Sequence, residues 1–324
     1  MIWQLGWRNI WRNKKRTAVI LTAVTVGVWA MIFLGALMRG IADQMVRNGI
    51  KTLTAHLQIH QPGFRRDPVI ENRMRQPGEL AEVLAQLPSG GRWAPRVRVS
   101  AVASNARHSS GVVLVGIDPD REANVSFIGE AVRRGRYLKE GEPYGILVGQ
   151  ALLEDFETEL GNKLVLMAQD AQGEIASRAF RIVGVYQAEL ESTEQQFAFT
   201  SLTASQEMLN IGDDLSEVAV LLASHQQVDQ VARRLATALP ADRYVVETWR
   251  ELLPLVTAVL QMYDGFILFW FLAVFIAMGF GLVNTILMAV FERVREFGLL
   301  RALGMKPGWV IGEVLVESFF LLVI

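Results

Sequence analysis

GFILFWFLAVFIAMGFGLVNTILMAVF, Gly265 to Phe291, contains no charged residue. A helix rises 1.5 Å per residue, so about 20 such residues cross a hydrocarbon layer about 30 Å thick. This run therefore predicts a membrane-spanning helix. A second uncharged run, Thr17 to Met38, meets the same requirement. Between the two, residues 39–264 have the composition of a soluble protein. The expected fold class is an α-helical transmembrane protein carrying a large extracytoplasmic α+β domain.

Flanking basic residues set the orientation. Arg8, Arg12, Lys14, Lys15 and Arg16 precede the first run, and Arg293, Arg295, Arg301 and Lys306 follow the second. Both flanks are expected in the cytoplasm, which puts the N-terminus inside and residues 39–264 in the periplasm of a bacterial inner membrane. Thr17–Met38 is too long for a signal-peptide core of about 7–15 residues, and no small-x-small cleavage site follows it, so a retained span is expected. In residues 1–16, Trp3, Trp7, Ile10 and Trp11 recur at helical spacing beside Arg8, Arg12 and Lys15. That pattern fits a helix lying on the lipid of the inner leaflet, or else the frayed start of the first span. Residues 309–324 turn apolar again without the length of a full span, which predicts the truncated start of a third transmembrane helix in a longer natural product.

From Leu252 to Phe291 the only charge is Asp264, about 60 Å of helix at 1.5 Å per residue. The excess over the bilayer predicts a stalk across residues 251–264, bent at Pro254 and partnered by Gly40–Ile50. Within the span, Ala273, Ala277, Gly281, Thr285 and Ala289 recur every fourth residue. Small side chains let membrane helices approach closely, so this ridge is a packing face, toward either the chain's own helices or another subunit.

In the external region β-α-β patterns occur twice. The first has strands at Thr52–His60 and Arg96–Ala103 around a helix at Pro77–Leu87; the second has strands at Glu217–Leu222 and Arg243–Glu247 around Val228–Leu239. Residues 39–106 and 215–250 are thus expected to form one α+β subdomain. Residues 107–214 form an inserted β-rich one, with strands at Gly111–Ile117, Gly145–Val148, Lys163–Met167 and Ala179–Tyr186. Glycines 116, 149, 161, 173 and 184 read as turns or bulges between them.

Composition excludes several chemistries. The chain has no cysteine, and a formal charge of −1 argues against nucleic acid or another polyanion. His56 and His60 share a strand face without a further ligand at metal spacing. His108, Ser109, Ser110 and Asp118 lack a nucleophile elbow. Gly279-Phe280-Gly281 lies inside an apolar helix and is no dinucleotide loop. Glu189, Glu191 and Glu194 read as a solvated acidic loop. No catalytic, metal or cofactor site is expected.

After the second span come Glu292-Arg293-Val294-Arg295-Glu296-Phe297-Gly298-Leu299-Leu300-Arg301-Ala302-Leu303-Gly304. This resembles the E-R-x-x-E-[IF]-G-[IL]-L-R-A-[IL]-G signature of the FtsX-like and MacB-type permeases, the type VII ABC transporters. Glu317 matches an acidic residue that the family carries early in its third span. Leu5 to Lys14 is similar to the family's A-x-R-N-[IL]-x-R-[NS]-[KR] opening, and Gly149 to Val165 to its external G-x-x-L…L-G-x-x-V-x-L stretch.

The resemblance implies a permease subunit acting by mechanotransmission, with residues 292–305 as a coupling helix against a separate ATPase dimer. Glu292, Arg293, Arg295, Glu296 and Arg301 would supply charge there. Phe297, Leu300 and Leu303 would supply an apolar strip, Gly298 a close approach, and Gly304 the helix stop before Pro307. The plain alternative is a basic cytoplasmic loop. No G-x-x-x-x-G-K-[ST] occurs, so ATP and Mg belong to the partner and not to this chain. The lipoprotein-releasing branch fits best, because the domain is large and no ATPase is fused. It implies a second permease copy or paralogue, and a lipoprotein as substrate. MacB-like export of amphipathic small molecules with a periplasmic adaptor, and regulation of cell-wall hydrolases, are the alternatives.

Overall fold

The computed structural model describes residues 14–323, so most of the expected interfacial helix lies outside the described residues. The chain divides into two compact units, residues 45–257 and residues 1–44 with 258–324.

In the second of these, helix α1 (Lys14–Gly49) contributes its apolar part. Two apolar stretches, Leu21–Thr54 and Pro254–Glu292, are long enough to cross a membrane. Close approach between them falls on glycines of α1. A Cβ at Gly27 would stand 3.0 Å from the Met278 sulfur, and one at Gly35 3.3 Å from the Phe271 ring.

The large folded domain begins where α1 passes into a π-helical turn, Ile50–Thr54. The expected strand from Thr52 is therefore shorter, because residues 52–54 stay helical to bury Leu53 in the core. Strands then follow as β1 (Leu57–His60), β2 (Arg92–Ser104), β3 (Ser109–Ile117), β4 (Val132–Gly135) and β5 (Gly145–Gly149). The remainder are β6 (Lys163–Gln169), β7 (Ile175–Tyr186), β8 (Phe197–Ser201), β9 (Glu217–Leu221) and β10 (Val245–Thr248). The longer helices among them are α2 (Gly78–Leu84), α3 (Gln150–Asp155), α4 (Glu191–Gln196), α5 (Leu202–Leu209) and α6 (Val228–Ala238).

All ten strands form one sheet, ordered β10-β1-β9-β2-β3-β8-β5-β7-β4, with β6 bridging β2 and β7. That bridge closes β2, β3, β8, β5, β7 and β6 into a ring of six strands, which leaves no open edge among them. The expected split into two subdomains is thus redrawn. Arg92–Arg96 of β2 pair with β9 in the α+β part, while Ala101–Ser104 pair with β6 in the ring. One strand belongs to both parts, and residues 45–257 form a single unit. The ring encloses an apolar core that includes Val97, Val99, Leu114, Ile146, Leu166, Phe180 and Ala198.

Local sequence explains the covering helices. In α6, Val228, Val231 and Leu235 are buried at i, i+3 and i+7, one stripe facing the sheet. Ser201 caps α5 by accepting from the Ala204 amide at 3.2 Å, and Asn210 ends it in the left-handed region. Gly116 sits in mid-strand because a Cβ there would overlap the Ser205 hydroxyl of α5. That is helix-on-strand packing, not the turn or bulge expected.

The acidic loop also differs from expectation. Glu189 and Glu191 are exposed, but Glu194 is buried and accepts from the Ala151 and Ala188 amides at 3.0 and 2.8 Å. Two otherwise orphaned amides recruit its carboxylate.

His56 and His60, expected on one strand face, find separate partners. His60 Nε2 lies 2.9 Å from Glu247, and His56 Nε2 lies 2.9 Å from His225 Nδ1. The Leu222 amide donates to His56 Nδ1, so the His56 proton sits on Nε2 and donates to His225. Burial, reinforced by His225, lowers the His56 pKa to about 4. A depressed histidine pKa means that the unfolded chain takes up the proton first as pH falls. Stability should therefore decline from about pH 6.5 to about pH 4, by at most about 3 kcal/mol. His56→Asn keeps an acceptor for Leu222 without the titration, so its urea midpoint should stay flatter over that window.

Candidate functional site

The second apolar helix, α7, runs Pro254–Glu292. Pro254 starts it rather than bending it, since its fixed φ and missing N–H suit the first helical turn. Arg293, at φ −107° and ψ 10°, breaks the helix. A short helix α8, Val294–Ala302, follows, and then α9, Pro307–Val323.

The end of α8 follows from Gly304. With φ at +92° it takes the left-handed conformation that an L side chain resists. Its amide donates to Arg301 O and that of Met305 to Leu300 O, both at 3.0 Å. These two bonds make a Schellman stop, and Pro307 opens the next helix.

The break before α8 is held by Arg293. Its guanidinium pairs with Glu296 at 3.0 Å and lies over the Phe297 ring at 5.1 Å from the centroid. Phe297 is therefore buried and Leu300 half-buried, so neither offers the outward apolar strip that the spacing predicted. Leu303, the third residue of that strip, is exposed, and so is Leu299. Glu292, Arg295, Glu296 and Arg301 are exposed. A Cβ at Gly298 meets nothing within 4 Å, and Ala302, four residues on, is also exposed. Gly298 and Ala302 thus give α8 a small-residue strip on an exposed face, beside Arg295 and Leu299.

On α7, Ala273, Ala277 and Gly281 of the small-residue ridge are exposed, and a Cβ at Gly281 meets nothing within 4 Å. Met278 and Phe271 face the glycines of α1, so the ridge points elsewhere. The side chains of Thr285 and Ala289 lie outside the described residues.

The network that sequence reading missed is in the domain. Arg96, fully buried, donates to both Glu122 oxygens at 2.9 and 2.7 Å, to Glu217 at 3.0 Å and to Leu53 O. It ties the turn that ends α1 to β2 and β9. Burial works against its charge, but Glu122 and Glu217 outweigh that and raise its pKa. No group of three or more His, Cys, Asp or Glu able to hold a metal occurs among the described residues.

Comparison with known proteins gives the class. The MacB-like periplasmic core domain matches residues 17–238, and the FtsX-like permease C-terminal matches residues 267–324. The chain belongs to this family of permeases with a MacB-like periplasmic core.

Among its relatives is the lipoprotein-releasing system transmembrane protein LolC of Neisseria meningitidis. It is 25% identical, with 95% of this chain and 75% of the relative covered. The macrolide export ATP-binding/permease protein MacB of Nitrosomonas europaea is 23% identical over 97% of this chain and 48% of its own length. The crystal structure of the periplasmic region of MacB from Actinobacillus actinomycetemcomitans aligns with a TM-score of 0.44 at 14% identity, covering 62% of this chain and 92% of that one. The chain is an ABC transporter permease of the LolC and MacB type.

Proposed function

We propose that this permease releases lipoproteins from the inner membrane by mechanotransmission. A separate ATPase dimer holds ATP and Mg in the cytoplasm and docks on α8. Its closure moves α8, and the long helices carry that motion to the periplasmic domain. A second permease, a copy or a paralogue, completes the complex. The observation that carries this reading is the likeness to LolC, which extends over 95% of the chain and 75% of the relative. The exposed charges of α8 and its two hard stops, Arg293 and Gly304, suit a compact docking element. Export of amphipathic molecules is the second reading, favoured by the likeness to MacB and to the pyoverdine export protein PvdT of Pseudomonas syringae.

Depletion in the host separates the two. Under the first reading, palmitate-labelled lipoproteins accumulate in the inner-membrane fraction, and re-expression of this chain clears them. Normal lipoprotein sorting with lost macrolide efflux would overturn it in favour of the second.

A further inference from the structure

We propose that the cavity at the end of α1 binds an anionic amphiphile, a phosphate group carried on an apolar chain. This goes beyond lipoprotein release and does not depend on it. The cavity has a volume of about 700 Å³, within the range of about 300–1,000 Å³ usual for small-molecule sites. That is far larger than a bare phosphate requires.

Its charge is unbalanced. Lys51, Arg92 and Arg133 line it against Glu130 and Glu189, which leaves an excess of one positive charge without counting Arg47. Lys51 and Arg133 are exposed, and neither forms an ion pair or side-chain hydrogen bond among the described residues. Arg92 spends one guanidinium nitrogen on Asn124 O at 3.3 Å and keeps others to donate. Guanidinium and ammonium groups brought to one cavity by separate elements suit a phosphate, which accepts several charge-assisted bonds at once. Arg47 and Lys51 come from α1 and its π-turn, Arg92 from β2, and Arg133 from β4.

Ile50, Val125, Phe127, Ala131 and Leu190 add apolar walls between polar lining residues such as Asn48, Asn124 and Gln187. Such walls contribute nothing to a bare anion but favour an attached hydrocarbon chain. Ser126 Oγ, in the same lining, is buried without a hydrogen-bond partner, a cost that a ligand acceptor would remove.

The backbone gives an independent reason. Ile50–Thr54 form a π-helix, and Ala55, the residue after it, has φ at +55° and ψ at −164°. π-Turns and strained non-glycine residues are uncommon and concentrate at functional sites. Here the π-turn supplies Ile50, Lys51 and Thr52 to the cavity wall.

The test uses the whole chain in a neutral maltoside detergent, titrated calorimetrically with dihexanoyl phosphatidic acid. Saturable binding is expected, and Lys51→Gln with Arg133→Gln should weaken it about tenfold or more. Arg134→Gln, exposed and outside the lining, should leave it within about twofold and controls for general charge and partition into micelles. Inorganic phosphate and dihexanoyl phosphatidylcholine should each bind at least about tenfold more weakly. Equal affinity for inorganic phosphate would make this a simple anion site and overturn the proposal. Equal affinity for phosphatidylcholine, equal losses in the Arg134 and cavity variants, or no saturable binding would each do the same.

Discussion

Arg96→Leu should destabilise the domain of residues 45–257 by about 3–5 kcal/mol, a large part of the roughly 5–15 kcal/mol that holds a typical domain folded. The reason is what the substitution leaves behind. Glu122 has no exposed side-chain surface and Glu217 only 3%. Without the guanidinium, Glu122 loses its ion partner and Glu217 keeps only Arg98 at 3.8 Å, in a site that water does not reach, while Leu53 O keeps only Gln58 as donor. Arg96→Lys should recover little, because an ammonium cannot reproduce the paired bonds to Glu122 while also reaching Glu217 and Leu53.

Replacing the whole network, Arg96→Met with Glu122→Leu and Glu217→Leu, should cost much less than Arg96→Leu alone. A buried ion pair returns little more than its desolvation cost, whereas a broken one leaves that cost uncompensated. Urea titrations read by hydrogen exchange at the β2 and β9 amides measure all three variants. A loss below about 1 kcal/mol for Arg96→Leu would mean that the site opens to water without consequence. The local readout matters because Arg96 joins the turn after α1 to the sheet, so exchange should rise first in those strands.

Arg96 also shows where sequence reading stops. In Arg96-Val97-Arg98-Val99 the alternation assigns the valines to one face and the arginines to the other, and the valines are indeed in the core. Period two says which face a side chain takes, but not whether that face is covered. The Ile50–Thr54 turn and the Pro119–Glu122 helix cover it. The partners lie 26 and 121 residues away from Arg96, a separation that no local pattern carries.

The missed strands have different causes. Phe197–Ser201 is buried throughout, so it offers no alternation. Val132–Gly135 is a short, largely exposed edge strand with two arginines, and composition alone assigns such a segment to a loop. Elements with strong periodicity or long charge-free runs were legible: both long apolar helices, α6 and the strands of the two β-α-β patterns. In the candidate docking segment, Gly304 and Pro307 could be read as a helix stop from residue type alone. The inward turn of Phe297 could not, because it depends on the break at Arg293 and on that guanidinium covering the ring.

That geometry sets the second large effect, expected from Gly298→Leu. A Cβ at Gly298 meets open space, so a leucine there clashes with nothing among the described residues. Leucine also favours a helix over glycine by somewhat less than about 1 kcal/mol, so α8 should become slightly more stable. The substitution should thus leave the isolated chain folded and report on what docks against this face. If an ATPase packs closely there, a bulky side chain holds the surfaces apart.

Reconstituted with its ATPase, the variant should keep hydrolysis within about twofold of the parent while substrate release falls about tenfold or more, equivalent to about 1.4 kcal/mol or more of lost coupling. Gly298→Ala, which adds one methyl group, should fall between. Phe297→Ala is the contrasting case. It removes the ring under Arg293 and should loosen the break itself, lowering hydrolysis and release together. Parental release from Gly298→Leu, with hydrolysis unchanged, would show that no close contact forms at this face. The force would then have to enter the permease somewhere other than α8.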